Sequence, residues 1–153
     1  MKKSKYFKIY EIVDKETFIH LGDVAWELVD WRIIETIDTL KEVFNQGTIT
    51  INNYKWKGNR NWSGLRTKDS KYYSPTSMHS LSINKDGGRT FKAVDCIFSH
   101  YTTKEVREYI LSHQDEFPYI KRIEVANWIH LDLRETDKDY IVLFDTKGII
   151  LNS

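Results

Sequence analysis

The sequence predicts an α+β fold in which a mostly antiparallel sheet is flanked by helices. Three observations lead to this prediction: a long segment with helical spacing near the start, a second helical segment beyond residue 100, and short alternating segments joined by turn residues around it. No repeat, low-complexity tract or linker divides the chain. Its 153 residues fit one domain of ordinary size, so we expect a single domain over residues 1–153.

The first helix is expected over residues 24–44, because apolar residues recur there every three or four positions and therefore share one face. Asp23 is its expected N-cap, and Gly47 is the expected stop signal after its end. The face consists of Trp26, Val29, Ile33, Ile37, Leu40 and Phe44.

The second helix is expected to begin at Thr102, because Thr102 and Glu105 have the spacing of a capping box. Pro118 is expected to end it. The predicted buried face of this helix carries Val106, Ile110, His113 and Phe117.

Alternating residues and turn residues predict the strands. Residues 84–88, Asn-Lys-Asp-Gly-Gly, have the chemistry of a hairpin loop, and residues 146–148 are a further turn. The predicted strand segments are residues 48–51, 90–98, 121–133 (folded back around 126–127), 140–144 and 149–151.

The charge balance excludes several classes of function. Lys and Arg number 23 and Asp and Glu 22, which gives a net charge of +1. This balance argues against a nucleic-acid-coating surface and against a polybasic membrane anchor, so we expect neither partner. A single cysteine, Cys96, excludes an internal disulfide and any multi-cysteine zinc site. Any metal site must therefore be built from histidines and carboxylates.

Residues 54–62 alternate aromatic and basic side chains, a pattern that could stack the bases of a single strand. A strand with one packed aromatic face, or a groove wall, explains the same pattern. At the start of the chain, charges interrupt every apolar run, whereas a secretory signal needs about 7–15 apolar residues in a row. We therefore expect synthesis in the cytoplasm without a signal peptide.

Three residues suggest a metal site. His79 precedes the predicted hairpin, Asp95 interrupts an apolar strand, and His130 alternates with bulky apolar residues. A buried ionised carboxylate is costly unless it is paired or coordinated. Two imidazoles and one carboxylate leave a tetrahedral zinc ion one open position, where a bound water becomes a nucleophile. Purely structural roles for these residues explain the same pattern.

Four motifs, taken together and in order, resemble a zinc peptidase superfamily. They are Ser-Gly-Leu-Arg at 63–66, Ser-Met-His at 77–79, Ala-Val-Asp at 93–95 and Trp-Ile-His-Leu-Asp at 128–132. The superfamily contains D-alanyl-D-alanine carboxypeptidases and the L-alanyl-D-glutamate endopeptidases of phage endolysins, and is related in fold to the Hedgehog signalling domain. The resemblance covers residues 33–134.

The resemblance implies that His79, Asp95 and His130 are the ligands of a zinc ion. The usual family spacing from the first histidine to the aspartate would instead select Asp86, inside the predicted hairpin loop. Asp95 is preferred because its Ala-Val-Asp context matches the family pattern.

The resemblance also implies roles for three residues beside the ligands. Arg66 would point into the groove and bind a substrate carboxylate or stabilise the oxyanion. Ser77 would support the site from a strand end. Asp132 would share a strand face with His130 and orient it.

The general base departs from the family pattern. Many members carry a catalytic carboxylate three residues before the last histidine, but this chain has Asn127 there. Glu124 can replace it only if a three-residue hairpin loop brings it opposite His130, with Cβ atoms about 5 Å apart; in a continuous strand the two would be about 20 Å apart. The alternative is a surface glutamate paired with Lys121 or Arg122.

The implied function is zinc-dependent hydrolysis of amide bonds in peptidoglycan stem peptides by a monomeric, phage-encoded enzyme. Such an enzyme would act on the bacterial cell wall after its release, or as part of a virion. The alternative is a non-catalytic zinc-fold module for wall binding or virion structure, which Asn127 keeps open.

Overall fold

The structure, a computed structural model, describes residues 1–152. It has three α-helices: α1 (Lys15–Leu21), α2 (Trp31–Val43) and α3 (Thr103–Ser112). The strands are β1 (Ile49–Thr50), β2 (Ser82–Ile83), β3 (Arg89–Thr90), β4 (Ala93–Phe98), β5 (Arg122–Val125), β6 (Ile129–Asp132) and β7 (Val142–Phe144). Short 3-10 helices cover Ile9–Glu11, Gly22–Leu28, Tyr54–Trp56 and Gln114–Glu116.

Five strands form one sheet in the order β1-β4-β6-β5-β7, and β2 and β3 form a separate hairpin. Every pair in the large sheet is antiparallel except β5 with β7, which is parallel. The expectation of an α+β fold with a mostly antiparallel sheet is therefore confirmed. The turn at residues 84–88 joins β2 to β3, as its Asn, Asp and Gly content predicts.

The centre of the sheet aligns three polar residues on neighbouring strands. In the β5–β6 hairpin Glu124 is directly opposite His130, and across β4–β6 Asp95 is directly opposite the same histidine. The segment expected at 121–133 therefore folds back through a three-residue loop, 126–128, and is not one continuous strand. One row across the sheet thus carries a glutamate, a histidine and an aspartate.

The predicted start of the long helix is wrong. Residues 22–28 form a 3-10 helix, and Val29 is extended and bridges Phe91. The N-cap is Asp30, whose side chain accepts from the backbone N–H of Arg32, and Asp23 does not cap α2. The helix ends at Val43, so Gly47 follows its C-terminus at a distance. The helix begins later than predicted because Val29 is extended and the carboxylate of Asp30 accepts from the first turn.

Helix α1 was not predicted, because none of its residues is buried and it therefore has no apolar stripe. Its N-cap is visible in hindsight: Asp14 accepts from both the backbone N–H and the hydroxyl of Thr17. Helix α3 has the predicted capping box between Thr102 and Glu105 but ends at Ser112, so only its first two apolar positions are helical.

Three strand predictions need correction. Residues 149–151 form no strand; only Ile150 bridges to Phe144 beyond the turn at Gly148. Residues 54–62 contain a 3-10 turn and irregular backbone, so the aromatic and basic pattern does not reflect a strand. The segment at 90–98 is divided between β3 and β4.

One hydrophobic core extends from Phe7 near the start to Ile141 before β7, and it lies on the face of the sheet opposite Glu124, His130 and Asp95. The buried face of α2 and the apolar residues of β4 and β6 make up much of it. Within residues 1–152 no helix combines the length and apolar character that a membrane crossing requires.

Candidate metal centre

His79, Asp95 and His130 form a buried cluster whose ligand atoms lie within 4.8 Å of one another. Nδ1 of His130 is 2.9 Å from Oδ1 of Asp95, and Nε2 of His79 is 3.4 Å from the same oxygen. The two ring nitrogens are 3.2 Å apart. The structure therefore brings together three residues that are far apart in sequence, and their donor atoms are those that divalent metals bind.

The separations fit a single shared ion. Two nitrogen or oxygen ligands of a tetrahedral zinc, each about 2.0–2.1 Å from it, lie about 3.3 Å from each other. The three observed separations of 2.9, 3.2 and 3.4 Å bracket that value. The cluster needs little rearrangement to accept a metal ion.

Both imidazoles turn their inner ring nitrogen towards the cluster. Nδ1 of His79 lies 2.7 Å from the carbonyl oxygen of Gly64, which can only accept, so this nitrogen carries the proton and Nε2 is free to bind metal. Nε2 of His130 likewise donates to Oδ2 of Asp132 at 2.9 Å, which turns Nδ1 towards the cluster. Fixing the outer nitrogen in this way is how metal-binding histidines are oriented.

Opposite charges stabilise the cluster. Burial lowers the pKa of His79. Burial acts in the same direction on His130, but its hydrogen bonds to Asp132 and Asp95 outweigh burial and raise its pKa to about 9. Although burial opposes it, the neighbouring histidines hold the pKa of Asp95 well below its usual range. The hydrogen bond between Nδ1 of His130 and Asp95 therefore carries a proton, which a divalent ion bound at this cluster would displace.

Asp132 is fully buried and is held by an arginine from the neighbouring strand. Arg122 donates from Nε and Nη2 to the Asp132 carboxylate at 2.9 and 2.6 Å. Burial raises the pKa of Asp132, but the hydrogen bonds from His130 and Arg122 outweigh it and lower the pKa to about 2. Asp132 is therefore a permanent anion behind His130, and the pair Arg122–Asp132 neutralises itself.

Arg66 lies in the pocket wall, but its guanidinium is engaged. Nη2 donates to Oδ2 of Asp95 at 2.8 Å, and Nε donates to the carbonyl oxygen of Trp62 at 2.8 Å. The oxygen of Asp95 that faces the histidines is Oδ1, so Arg66 holds the carboxylate from its other side. In this arrangement Arg66 orients Asp95.

Ser77 supports His79 through the backbone. Its hydroxyl accepts from the His79 N–H at 3.2 Å, two residues on, in a turn of the loop before β2. On the other side of His79, a Cβ added to Gly64 would lie 1.8 Å from the carbonyl oxygen of Ile12. Only glycine permits this approach, and it sets the carbonyl that fixes the His79 ring.

Glu124 lies in the same pocket wall, opposite His130 in the hairpin. Within residues 1–152 no ion pair or hydrogen bond takes its carboxylate, so the alternative pairing with Lys121 or Arg122 is wrong; Arg122 binds Asp132 instead. Burial raises its pKa. A partly buried carboxylate that faces a metal-binding cluster and has no partner is suited to hold and release a proton.

Asp86, the alternative ligand, lies elsewhere. It is exposed at the tip of the β2–β3 hairpin, where Oδ1 accepts from the N–H of Gly88 at 2.9 Å. Asp95, in β4, occupies the position beside both histidines. Asn127 is exposed at the tip of the other hairpin.

The cluster opens into a pocket of about 630 Å³. Residues 59–62 form part of its wall, so the second half of the aromatic and basic segment serves as a groove wall. Trp56, in the first half, is exposed and packs edge-on against Tyr10 at 5.8 Å. The sequence did not reveal that Arg122 holds Asp132 or that the Gly64 carbonyl accepts from His79. The first contact depends on strand pairing and the second on a backbone atom, and neither produces a sequence motif.

The donor set, its buried acceptors and the adjacent carboxylate are features of this chain's own fold. These features make the site chemically able to bind a divalent ion and to transfer a proton beside that ion. Comparison of the chain with protein-family models, with curated proteins and with solved structures returned no match in any of the three.

Proposed function

We propose that this protein is a zinc-dependent peptidase that hydrolyses amide bonds in peptidoglycan stem peptides. The observation that carries the proposal is the buried His79, Asp95 and His130 cluster, opening into a pocket that also contains the unpartnered Glu124. Two neutral imidazoles and one carboxylate form a donor set that leaves a tetrahedral zinc with an open position, the hallmark of a catalytic site as opposed to a structural one.

His79, Asp95 and His130 would hold the metal. A zinc ion bound there supplies Lewis-acid polarisation of a carbonyl and makes water acidic enough to act near neutral pH. Glu124 accepts the proton of the attacking water and donates it to the nitrogen of the leaving amine. Its raised pKa favours this exchange, because a base that binds its proton more firmly is a better acceptor at neutral pH.

Arg66, Asp132 and Ser77 act through the ligands. Arg66 fixes the carboxylate of Asp95, Asp132 sets the ring of His130, and Ser77 fixes the backbone of His79. Groups held in this way lose little freedom when substrate binds, which favours a preorganised site.

The substrate class rests on the resemblance of four motifs to the D-alanyl-D-alanine carboxypeptidase and L-alanyl-D-glutamate endopeptidase superfamily with its Hedgehog-like fold. The contacts of the motif residues support it: each of the four motifs, at 63–66, 77–79, 93–95 and 128–132, contributes residues to the cluster, its supports or its pocket. We propose a phage-encoded, monomeric enzyme that acts on the bacterial cell wall.

The decisive experiment incubates the zinc-loaded protein with purified peptidoglycan and follows newly released amines and peptide fragments by mass spectrometry. We expect release that a chelator abolishes and zinc restores. Stoichiometric zinc binding without any release would instead favour a non-catalytic wall-binding or virion module. Asn127 is the residue that favours this second candidate, since the family's usual carboxylate is missing there.

A further inference from the structure

The metal pocket carries more positive charge than its own carboxylates neutralise. Its wall includes four arginines and three carboxylates, on a chain whose net charge is only +1. Two of the arginines are paired, Arg66 with Asp95 and Arg122 with Asp132. This leaves Arg60 and Arg134 without an ion-pair partner within residues 1–152.

Arg134 is the more exceptional of the two. It follows β6, two residues after Asp132, and its backbone N–H donates to Oδ1 of that aspartate at 3.0 Å. Its Nη2 donates only to a neutral backbone oxygen, that of Thr76, in the loop that leads to His79. Its Nε is buried and has no hydrogen-bond partner in the described part of the chain. A buried donor without an acceptor is unfavourable, so a ligand that supplies an acceptor would stabilise this arginine.

Arg60 differs, because its Nε donates to the carbonyl oxygen of Ile51 at 3.1 Å. Arg66 has already committed two donors, one to Asp95 and one to the Trp62 carbonyl. Among the pocket arginines, Arg134 therefore combines an uncompensated charge with an unused buried donor.

We propose that Arg134 binds a carboxylate of the substrate, so that the pocket selects peptides with a free acidic group near the scissile amide over their amidated counterparts. This inference rests on the proposed function for the position of the scissile amide. It transfers to Arg134 the carboxylate-binding role that the resemblance implies for Arg66, which here orients Asp95. An arginine–carboxylate contact is charge-assisted and directional, whereas a carboxamide offers a neutral oxygen and competing N–H groups.

The test is a binding measurement on the full, zinc-loaded chain carrying Glu124→Gln to suppress turnover. The probes are N-acetyl-L-alanyl-D-glutamate and its diamide, titrated calorimetrically. We expect the diacid to bind at least about tenfold more tightly than the diamide, since tenfold corresponds to about 1.4 kcal/mol. Adding Arg134→Gln to this protein should reduce the preference about tenfold. A carboxylate contact with zinc would be the same with and without Arg134→Gln, so it cannot produce this difference. Arg134→Lys keeps the charge but loses the planar guanidinium that can donate two parallel hydrogen bonds, so it should give an intermediate preference.

Arg60→Gln is the matched control, because it removes an arginine from the same wall and should leave the preference unchanged. Equal binding of diacid and diamide, an unchanged preference in both Arg134 variants, or loss of the preference in Arg60→Gln would each overturn the proposal. Zinc content and thermal unfolding show that each variant is folded. Failure of the proposed function is distinguishable, because a protein that hydrolyses no peptidoglycan can still show the Arg134-dependent preference.

Discussion

Asp132 accepts a hydrogen bond from Nε2 of His130 at 2.9 Å, and it does so from a fully buried position. Because Arg122 holds the same carboxylate, the ring of His130 is fixed by a chain of contacts that begins on the neighbouring strand. The inner nitrogen of the ring is thereby aimed at the cluster. Metal affinity should depend on this outer contact as well as on the ligands.

Asp132→Asn should therefore weaken zinc binding about 10- to 100-fold, the usual cost of losing the partner of a metal-binding histidine. The amide keeps the size of the side chain but loses the charge that stabilises the donating ring. Competition with a chromophoric chelator measures the affinity. Asp86→Asn, on the exposed hairpin tip, is the control and should bind like the wild type. Unaltered affinity in a folded Asp132→Asn protein would contradict the role given to this contact.

Zinc stoichiometry tests the ligand set itself. The wild-type chain should bind one zinc per molecule, and His79→Ala and Asp95→Ala should each bind it at least about 100-fold more weakly, because two remaining ligands hold the ion poorly. Asp86→Ala should keep full occupancy. Elemental analysis after gel filtration gives the ratio. Retained zinc in Asp95→Ala together with its loss in Asp86→Ala would reverse the assignment of the aspartate.

Glu124→Gln should lower kcat by about 10²- to 10⁴-fold while zinc content stays the same, because the amide cannot accept a proton. Steady-state hydrolysis of a stem peptide and elemental analysis of the same sample separate the two effects. Asn127→Asp is the matched control: its side chain is exposed at the hairpin tip, so it should leave activity at the wild-type level. Full activity in Glu124→Gln would remove this residue from the mechanism.

Gly64→Ala should destabilise the protein and weaken zinc binding together. The added Cβ would meet the backbone carbonyl of Ile12 at 1.8 Å, and backbone cannot yield as a flexible side chain can. We expect a loss of at least about 1–3 kcal/mol in the free energy of unfolding, the usual cost of overpacking. Urea denaturation measures it. Ser82→Ala, on the separate β2–β3 hairpin, should change neither property strongly.

Asp30 gives a pH dependence away from the metal centre. Burial raises its pKa, but the hydrogen bonds and charge of Arg32 outweigh burial and lower it overall. Because the folded pKa lies below the unfolded value of about 3.9, the stabilisation is complete above pH 5 and is lost as the pH falls through the folded pKa. Asp30→Asn keeps an N-cap acceptor for α2 but removes the charge.

Urea denaturation of the wild type and Asp30→Asn at several pH values between 7 and 2 tests this prediction. The wild type should be the more stable at pH 7, and the difference should shrink below pH 4. A difference that is constant over the whole range would show that the charge of Asp30 contributes nothing.

Local patterns predicted the elements whose signals are local. The capping box at Thr102 and the turn at 84–88 are formed by neighbouring residues, so the sequence shows them directly. The start of α2 was misplaced because Trp26 and Val29 continue the helical spacing although Val29 is extended against Phe91. Tertiary pairing overrode periodicity there.

For the site, the sequence predicted the residue types better than their contacts. Glu124 could be placed opposite His130 once a three-residue loop was assumed, and the hairpin has that register. By contrast, Arg122 looked like a surface partner for Glu124, because the two residues are two apart and share one face of the strand. The pairing of β5 with β6 instead places Arg122 directly opposite Asp132. The sequence also does not indicate the parallel pairing of β7 with β5. Residues 126–141, which connect the two strands, show no pattern typical of a crossover between parallel strands.

The last strand of the sheet has a consequence for how the site assembles during synthesis. Phe144 packs edge-on against the ring of His130 at 5.9 Å, and its face lies 4.4 Å from the guanidinium carbon of Arg122. A nascent chain that has emerged only as far as β6 already contains every proposed ligand, yet lacks the ring that shields this corner. The packing of Phe144 against His130 and Arg122 therefore forms only after residue 144 has left the ribosome.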